Sequence, residues 1–418
     1  MNRFSIILIS IVFFSLSNIS FSQEDSIQVV IETFRGNKNR NFYGHDAPKR
    51  LNLKWKLSLG SGKSIVKDIP TVWSGAGWTG QPLLVIENSV PYIIQGAYDH
   101  NLRKINANTG KVIWKYEFDD IIKGTGTIWE NPNPNKPENR FVIMQGSRYG
   151  VKNDWYQKVI PSFRGISLLT GKELWRMNVK QTYSYSRDVD GSALVLNDTA
   201  YIGLENGLFT IFNPDSAYAK MKDGIIQPHV FREFKLFNDS DVLLHGVNFV
   251  TESSPTLVKN KVVIGACSRI IGYNLDTKRP DWNFYVATDI DGSTVATKDD
   301  KILVTLERQY IEGNGGVMKL DPFKPEEEAV EWFFPTGNKN YHEWEGGIIG
   351  TAAVNDYYNK QDSLPAIAAF SAIDGYLYVV DYNKIDSGKT VSQPYTGKPC
   401  PVPKQLFKYS LALEFLHP

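Results

Sequence analysis

Asn101–Tyr116 reads NLRKINANTGKVIWKY. Leu102, Lys104 and Ile105 lead into a turn at Asn106-Ala107-Asn108-Thr109-Gly110, and Val112 and Trp114 follow on one face of a second strand. Alternating apolar residues on both sides of an Asn- and Gly-rich turn predict a β-hairpin. The phrase returns closely at Thr170-Gly171-Lys172-Glu173-Leu174-Trp175 and loosely at Thr277-Lys278-Arg279-Pro280-Asp281-Trp282. In each copy the Thr stands five residues before the Trp. A hairpin that recurs along a chain is the signature of a repeat architecture.

The Trp spacing gives the period. Trp55 to Trp114 is 59 residues, Trp114 to Trp175 is 61, Trp175 to Trp282 is 107 and Trp282 to Trp332 is 50. The long interval holds two units, the first of which lacks its Trp and ends in a degenerate strand near Phe231–Leu236. Six units follow, starting at Trp78, Gly124, Asp188, Glu252, Asp289 and Glu345. Each holds about four strands. Their first strands open on small residues: Thr79-Gly80, Gly124-Thr125-Gly126, Gly191-Ser192, Ser253-Ser254, Gly292-Ser293 and Gly350-Thr351. Small residues suit strands that crowd around a central axis. A large flat Trp suits packing between neighbouring sheets, with its indole N–H on a carbonyl.

The expected fold is therefore all-β, a β-propeller of four-stranded antiparallel blades. Seven blades are expected, with six and eight as alternatives. A seventh, composite blade is expected from residues 27–34, 51–57 and 403–415, pairing the N-terminal strand with the C-terminal segment so that no edge is left exposed. Residues 1–22 read as a secretory signal peptide: Arg3, an apolar run over Phe4–Ile19, and Ser20-Phe21-Ser22 before Gln23. Residues 23–418 then form one domain. No Cys stands directly after the apolar run, so the mature chain is expected to be exported, periplasmic or secreted, without a lipid anchor or a transmembrane segment, and monomeric.

Composition narrows the function classes. The chain has 46 Lys and Arg against 45 Asp and Glu, so no basic excess points to nucleic acid. Its two cysteines, Cys267 and Cys400, read either as one disulfide or as two buried thiols.

The phrase aliphatic-x-x-x-x-Thr-Gly-Lys-x-x-Trp resembles the repeat of PQQ-like β-propellers. That family includes quinoprotein dehydrogenases, which hold pyrroloquinoline quinone and calcium, and non-catalytic scaffolds of the BamB type. The resemblance covers most of the mature chain at the level of repeats. The adjacent Cys-Cys pair found in many of the dehydrogenases is absent, as is a Cys-x-x-Cys-His haem motif. The resemblance thus implies a non-catalytic propeller that binds an envelope or extracellular protein, or a carbohydrate-like ligand, at one face of its channel. The alternative is an enzyme on the same fold, either a PQQ- and calcium-dependent dehydrogenase or a carbohydrate-active hydrolase or lyase.

The candidate site residues lie at the inner strand starts. Arg187-Asp188-Val189-Asp190-Gly191-Ser192 and Thr288-Asp289-Ile290-Asp291-Gly292-Ser293 are near-copies. Asp-x-Asp sets two carboxylates on one side of an extended strand, and Asp190 with Asp291 make a candidate calcium pair. The same carboxylates would equally cap turns. Glu252 opens the fourth unit. Tyr341-His342-Glu343-Trp344-Glu345 adds His342, Trp344 and Glu345 on a connecting loop. Trp73, Trp78 and Trp129 are candidates for the channel mouth, or for packing between blades.

Overall fold

The computed structural model describes residues 26–411, except 45–47, 67, 78–79, 155 and 339–344. The signal-peptide reading, Trp78, His342 and Trp344 therefore lie outside the described residues. The described chain is all-β, as expected, and the α-helix among these residues is Asp239–His245, capped by Asn238.

Among the described residues, six sheets of four or five strands follow one another along the chain, each an antiparallel meander, besides two two-stranded sheets. The first holds, in spatial order, Ile27–Ile31, Leu83–Glu87, Val90–Gly96, Asn101–Asn106 and Val112–Glu117. The second runs from Thr127–Glu130 to Glu173–Met177, the third from Leu194–Leu196 to His229–Lys235, and the fourth from Thr256–Val258 to Arg279–Tyr285. The fifth runs from Val295–Ala296 to Val330–Pro335, and the sixth from Ala353–Val354 to Pro399–Ser410. Each of these five has four strands.

The hairpin at Asn101–Tyr116 forms as read, with Lys104 opposite Trp114 and a bulge directly after that pair. Gly110 turns the chain at φ +73°, and its N–H donates to Asn106 O at 2.8 Å. The absence of a side chain there has a second use. A Cβ on Gly110 would meet the Trp55 ring at 2.9 Å, and one on Gly171 would meet the Trp114 ring at 2.7 Å. Each Trp thus lies on the turn of the following sheet and donates its indole N–H to a carbonyl there. The bonds are Trp55 to Ala107 O, Trp114 to Leu168 O, Trp175 to Pro214 O, Trp282 to Lys324 O and Trp332 to Tyr382 O, at 2.8–3.0 Å.

In the third sheet, Arg232 stands in the missing Trp position, just before the bulge opposite Ile211. Its guanidinium donates to Lys278 O. The turn it meets carries Lys278 at φ +54° rather than glycine, so the space a Trp ring would use is taken by a side chain.

The composite seventh sheet is not formed by the described residues. Ile27–Ile31 pairs with Leu83–Glu87 inside the first sheet. Pro399–Ser410 pairs with Tyr376–Ser392 as the last strand of the sixth. Residues 51–57 form no strand, although Trp55 occupies the slot an outer strand would fill. The described part of the C-terminal segment is already used as the fourth strand of the sixth sheet.

Five buried apolar clusters join the sheets in sequence: first to second, second to third, and on to fifth with sixth. The inner ends of the sheets are joined by hydrogen bonds. Gln81 N donates to Thr125 Oγ1, and Ser192 Oγ donates to Thr125 O. Ser192 N donates to Ser254 Oγ, Ser254 N to Ser293 Oγ, and Ser293 N to Thr351 Oγ1. Arg35 completes the circuit by donating its guanidinium to Thr351 O and its N–H to Gln81 Oε1. The small residues at the inner strand starts are what permit this approach. A Cβ on Gly124 would lie 2.0 Å from Asp190 O, and one on Gly292 2.0 Å from Thr305 Oγ1.

Residues 32–43 run across these inner ends. Ile128 N donates to Glu32 O, Leu257 N to Lys38 O, Ala296 N to Asn39 O, and Val354 N to Tyr43 Oη. The fully buried Arg40 donates to Pro255 O, Ser192 O, Phe34 O and Thr33 Oγ1. One short segment therefore touches the second through sixth sheets.

Candidate functional site

A cavity of about 550 Å³ lies among the inner ends of the sheets. Phe34, Arg35 and Tyr43 of the crossing segment line it, and so do Asp190, Glu252 and Asp291. Backbone and hydroxyl groups from the hydrogen-bonded circuit form much of the remaining wall.

The carboxylates of the two Asp-x-Asp copies do not act as matched pairs. Asp188 is fully occupied: its Oδ2 accepts from Arg148 Nε at 2.7 Å and its Oδ1 from Tyr149 N at 2.9 Å. Arg148 also donates to Ser64 Oγ and Ile65 O, each at 2.8 Å, which pins the Ser61–Val66 strand. Asp190 Oδ2 instead forms an ion pair with Lys123 Nζ at 2.5 Å, with the Asp190 side chain buried and that of Lys123 mostly so. Asp289 Oδ1 accepts from Ile290 N at 2.9 Å, the turn-capping role. Asp291 lies against Glu307.

Two residues that the sequence reading missed complete the group. Glu205 follows the strand Thr199–Gly203, and Lys123 follows the first sheet. One carboxylate oxygen from each of Asp190, Glu205 and Glu252 lies within 4.8 Å of the others. Glu205 Oε2 accepts from Ser186 Oγ at 2.5 Å, while its buried Oε1 meets no hydrogen-bond donor among the described residues. The available signal was a charged residue inside an apolar stretch, Tyr201-Ile202-Gly203-Leu204-Glu205. Glu307 repeats it at the end of Ile302–Leu306.

The electrostatics follow from this crowding. Burial opposes the Lys123 ammonium, but Asp190, Glu205 and Glu252 around it hold its pKa well above the ordinary value. Burial raises Glu205 well above the carboxylate range, with Lys123 pulling the other way. Burial and then repulsion from Asp291 raise Glu252. Burial and the neighbouring Glu307 raise Asp291. Burial raises Asp289 to about 6 against the Ile290 N–H. One lysine therefore serves several carboxylates, and the group is poised to accept positive charge.

The other candidates fall elsewhere. Arg187 is buried and turned into the protein body, where it donates to Val179 O and Gln157 O at 2.7 Å each. It holds loops together and does not line the cavity. Glu345 is half exposed and pairs with Arg308 at 2.7 Å. Trp129 packs between the second and third sheets and donates to Asn197 O at 3.0 Å. Trp73 tilts against Tyr98 with ring centroids 5.2 Å apart. Cys267 and Cys400 are buried free thiols, which resolves the alternative left by the sequence. Among the described residues, no helix is long and apolar enough to cross a membrane.

No family model matches the sequence, and no curated protein does. Among solved structures, the chain is similar to one described as the structure of U3-55K. The identity is 8%, over 70% of this chain and 74% of that one, with a TM-score of 0.42.

Proposed function

We propose that the six sheets are the blades of a β-propeller and that the protein is a non-catalytic binding scaffold whose axial cavity takes a cationic ligand. The observation that carries the ligand class is the carboxylate excess: Asp190, Glu205, Glu252 and Asp291 gather around the ammonium of Lys123. A concave site with a few convergent charged groups is the usual form of a small-ligand pocket. The hydrogen-bonded circuit through Thr125, Ser192, Ser254, Ser293, Thr351 and Arg35 supports a common axis. Kinship with the PQQ-like repeat is part of the proposal, supported by the Trp-to-turn bond that recurs from sheet to sheet.

Export follows from the reading of residues 1–22. Amino-terminal sequencing of the mature protein from its native host should begin at Gln23, and a start at Met1 would sink that part. For the ligand, calorimetric titration with calcium and with a diamine is the direct test. Heat that disappears in Glu205→Gln supports the cavity as the site. If neither cation binds the wild-type chain, the cationic-ligand reading is wrong.

A further inference from the structure

We propose that Asp190, Glu205 and Glu252 form a binding site for a hard divalent cation such as calcium. This rests on the cationic-ligand reading above and narrows it to one class of ligand.

The three carboxylates converge closely enough to share one ion. One oxygen from each lies within 4.8 Å of the others, and two oxygens that both touch a calcium ion at about 2.4 Å can be at most about 4.8 Å apart. All three donors are carboxylate oxygens, with no His or Cys among them, which favours a hard ion over zinc or copper.

A second observation points to a ligand independently of the clustering. Glu205 is 2% exposed, and among the described residues its Oε1 has no hydrogen-bond donor, nor does Asp190 Oδ1. Buried acceptors are nearly always satisfied, and leaving one bare is costly. A cation shared by the two carboxylates would satisfy both. Glu252 is the more exposed member and faces the cavity. Waters in that space would complete the six to eight oxygen ligands that calcium takes.

The charges agree. With an ion bound, the three carboxylates are ionised and together with the Lys123 ammonium carry a net charge of −2, which a divalent ion cancels. Lys123 holds Asp190 through Oδ2, so Oδ1 remains for the ion. The ammonium beside the site also repels the incoming ion and so weakens its binding.

The test is calorimetry on the chelator-treated mature chain at pH 7.5, titrated with calcium chloride and, separately, with putrescine. The wild-type chain should bind one calcium ion. Glu205→Gln and Asp190→Asn should each weaken binding at least tenfold, and Glu345→Gln, which lies outside the cavity lining, should leave it unchanged. Lys123→Met should tighten it. Circular dichroism and melting curves check that each variant is folded. Two carboxylate variants are used so that one misfolded protein does not decide the result. No calcium bound at about 1 mM, the weak end for calcium modules, overturns the metal site. So does calcium binding that neither carboxylate variant alters. Glu205-dependent putrescine binding without calcium binding overturns the metal site but keeps the cationic-ligand reading. Binding of neither overturns both.

Discussion

Replacing Lys123 with Met keeps the aliphatic stem and removes the charge, and its cost should depend strongly on pH. The Lys123–Asp190 ion pair is buried, with Nζ 2.5 Å from Oδ2. Removing one partner of a buried pair leaves an uncompensated charge, typically at about 3–5 kcal/mol. The protein has one escape, which is to protonate the stranded carboxyl. From the ordinary Asp value of 3.8, at about 1.36 kcal/mol per pH unit, that costs about 5 kcal/mol at pH 7.5 and about 1.6 kcal/mol at pH 5. The loss of stability should therefore be about 3–5 kcal/mol at pH 7.5 and fall below about 2 kcal/mol at pH 5. Urea unfolding of wild type and variant in chelator-containing buffer at both pH values reads this directly. An equal loss at the two pH values would refute the reasoning, because it would mean that the damage is packing and not charge. A loss under about 1 kcal/mol at pH 7.5 would show that the carboxylates do not depend on Lys123.

Asp289 gives a second pH test. Its folded pKa of about 6 lies above its ordinary 3.8, so its contribution is fully present below 3.8 and is lost as the pH rises through about 6. Asp289→Asn should therefore stabilise the protein at pH 7.5 by up to about 3 kcal/mol and by little at pH 4; a gain that is the same at both would be evidence against it. Arg232→Trp should destabilise, since Lys278 fills the ring's space, whereas Arg232→Trp with Lys278→Gly should recover the loss. Thermal melts of the two single variants and the double variant give the coupling, and strict additivity would dismiss the slot argument. Arg40→Met should cost about 3 kcal/mol or more by stranding the carbonyls of Pro255 and Ser192. A variant with wild-type stability would show that the crossing segment does not staple the sheets. Cys267 and Cys400 should resist a thiol reagent in the native state and yield two free thiols after denaturation. A disulfide mass would contradict the structure.

The fold was legible where the signal is local and periodic. Two-residue alternation, turn glycines and the Trp interval identified the hairpin at Asn101–Tyr116 and its copies, because those features are set within a dozen residues. The third sheet was legible except for Arg232, whose role depends on a lysine in the following sheet rather than on its own neighbours. The assignment of the two chain ends failed for a related reason. Period-two alternation says that residues 51–57 suit a strand, but not that a partner is present.

The site was half legible. Asp190, Glu252 and Asp291 were found because they sit at the recurring inner strand starts. Glu205 and Lys123 were not, since they come from a strand end and an inter-sheet connection that only the packing of successive sheets brings to Asp190. Asp188 and Arg187 show the converse. They carry the right chemistry at the right place in the repeat, yet the nearest cation claims one and backbone carbonyls claim the other.

Diffraction from crystals of the mature chain soaked in manganese, an anomalously scattering stand-in for calcium, tests the central claim most directly. An anomalous peak between Asp190 Oδ1, Glu205 Oε1 and Glu252, at metal–oxygen distance from all three, is the predicted result. A cavity with no peak there, while manganese appears elsewhere on the molecule, would contradict it.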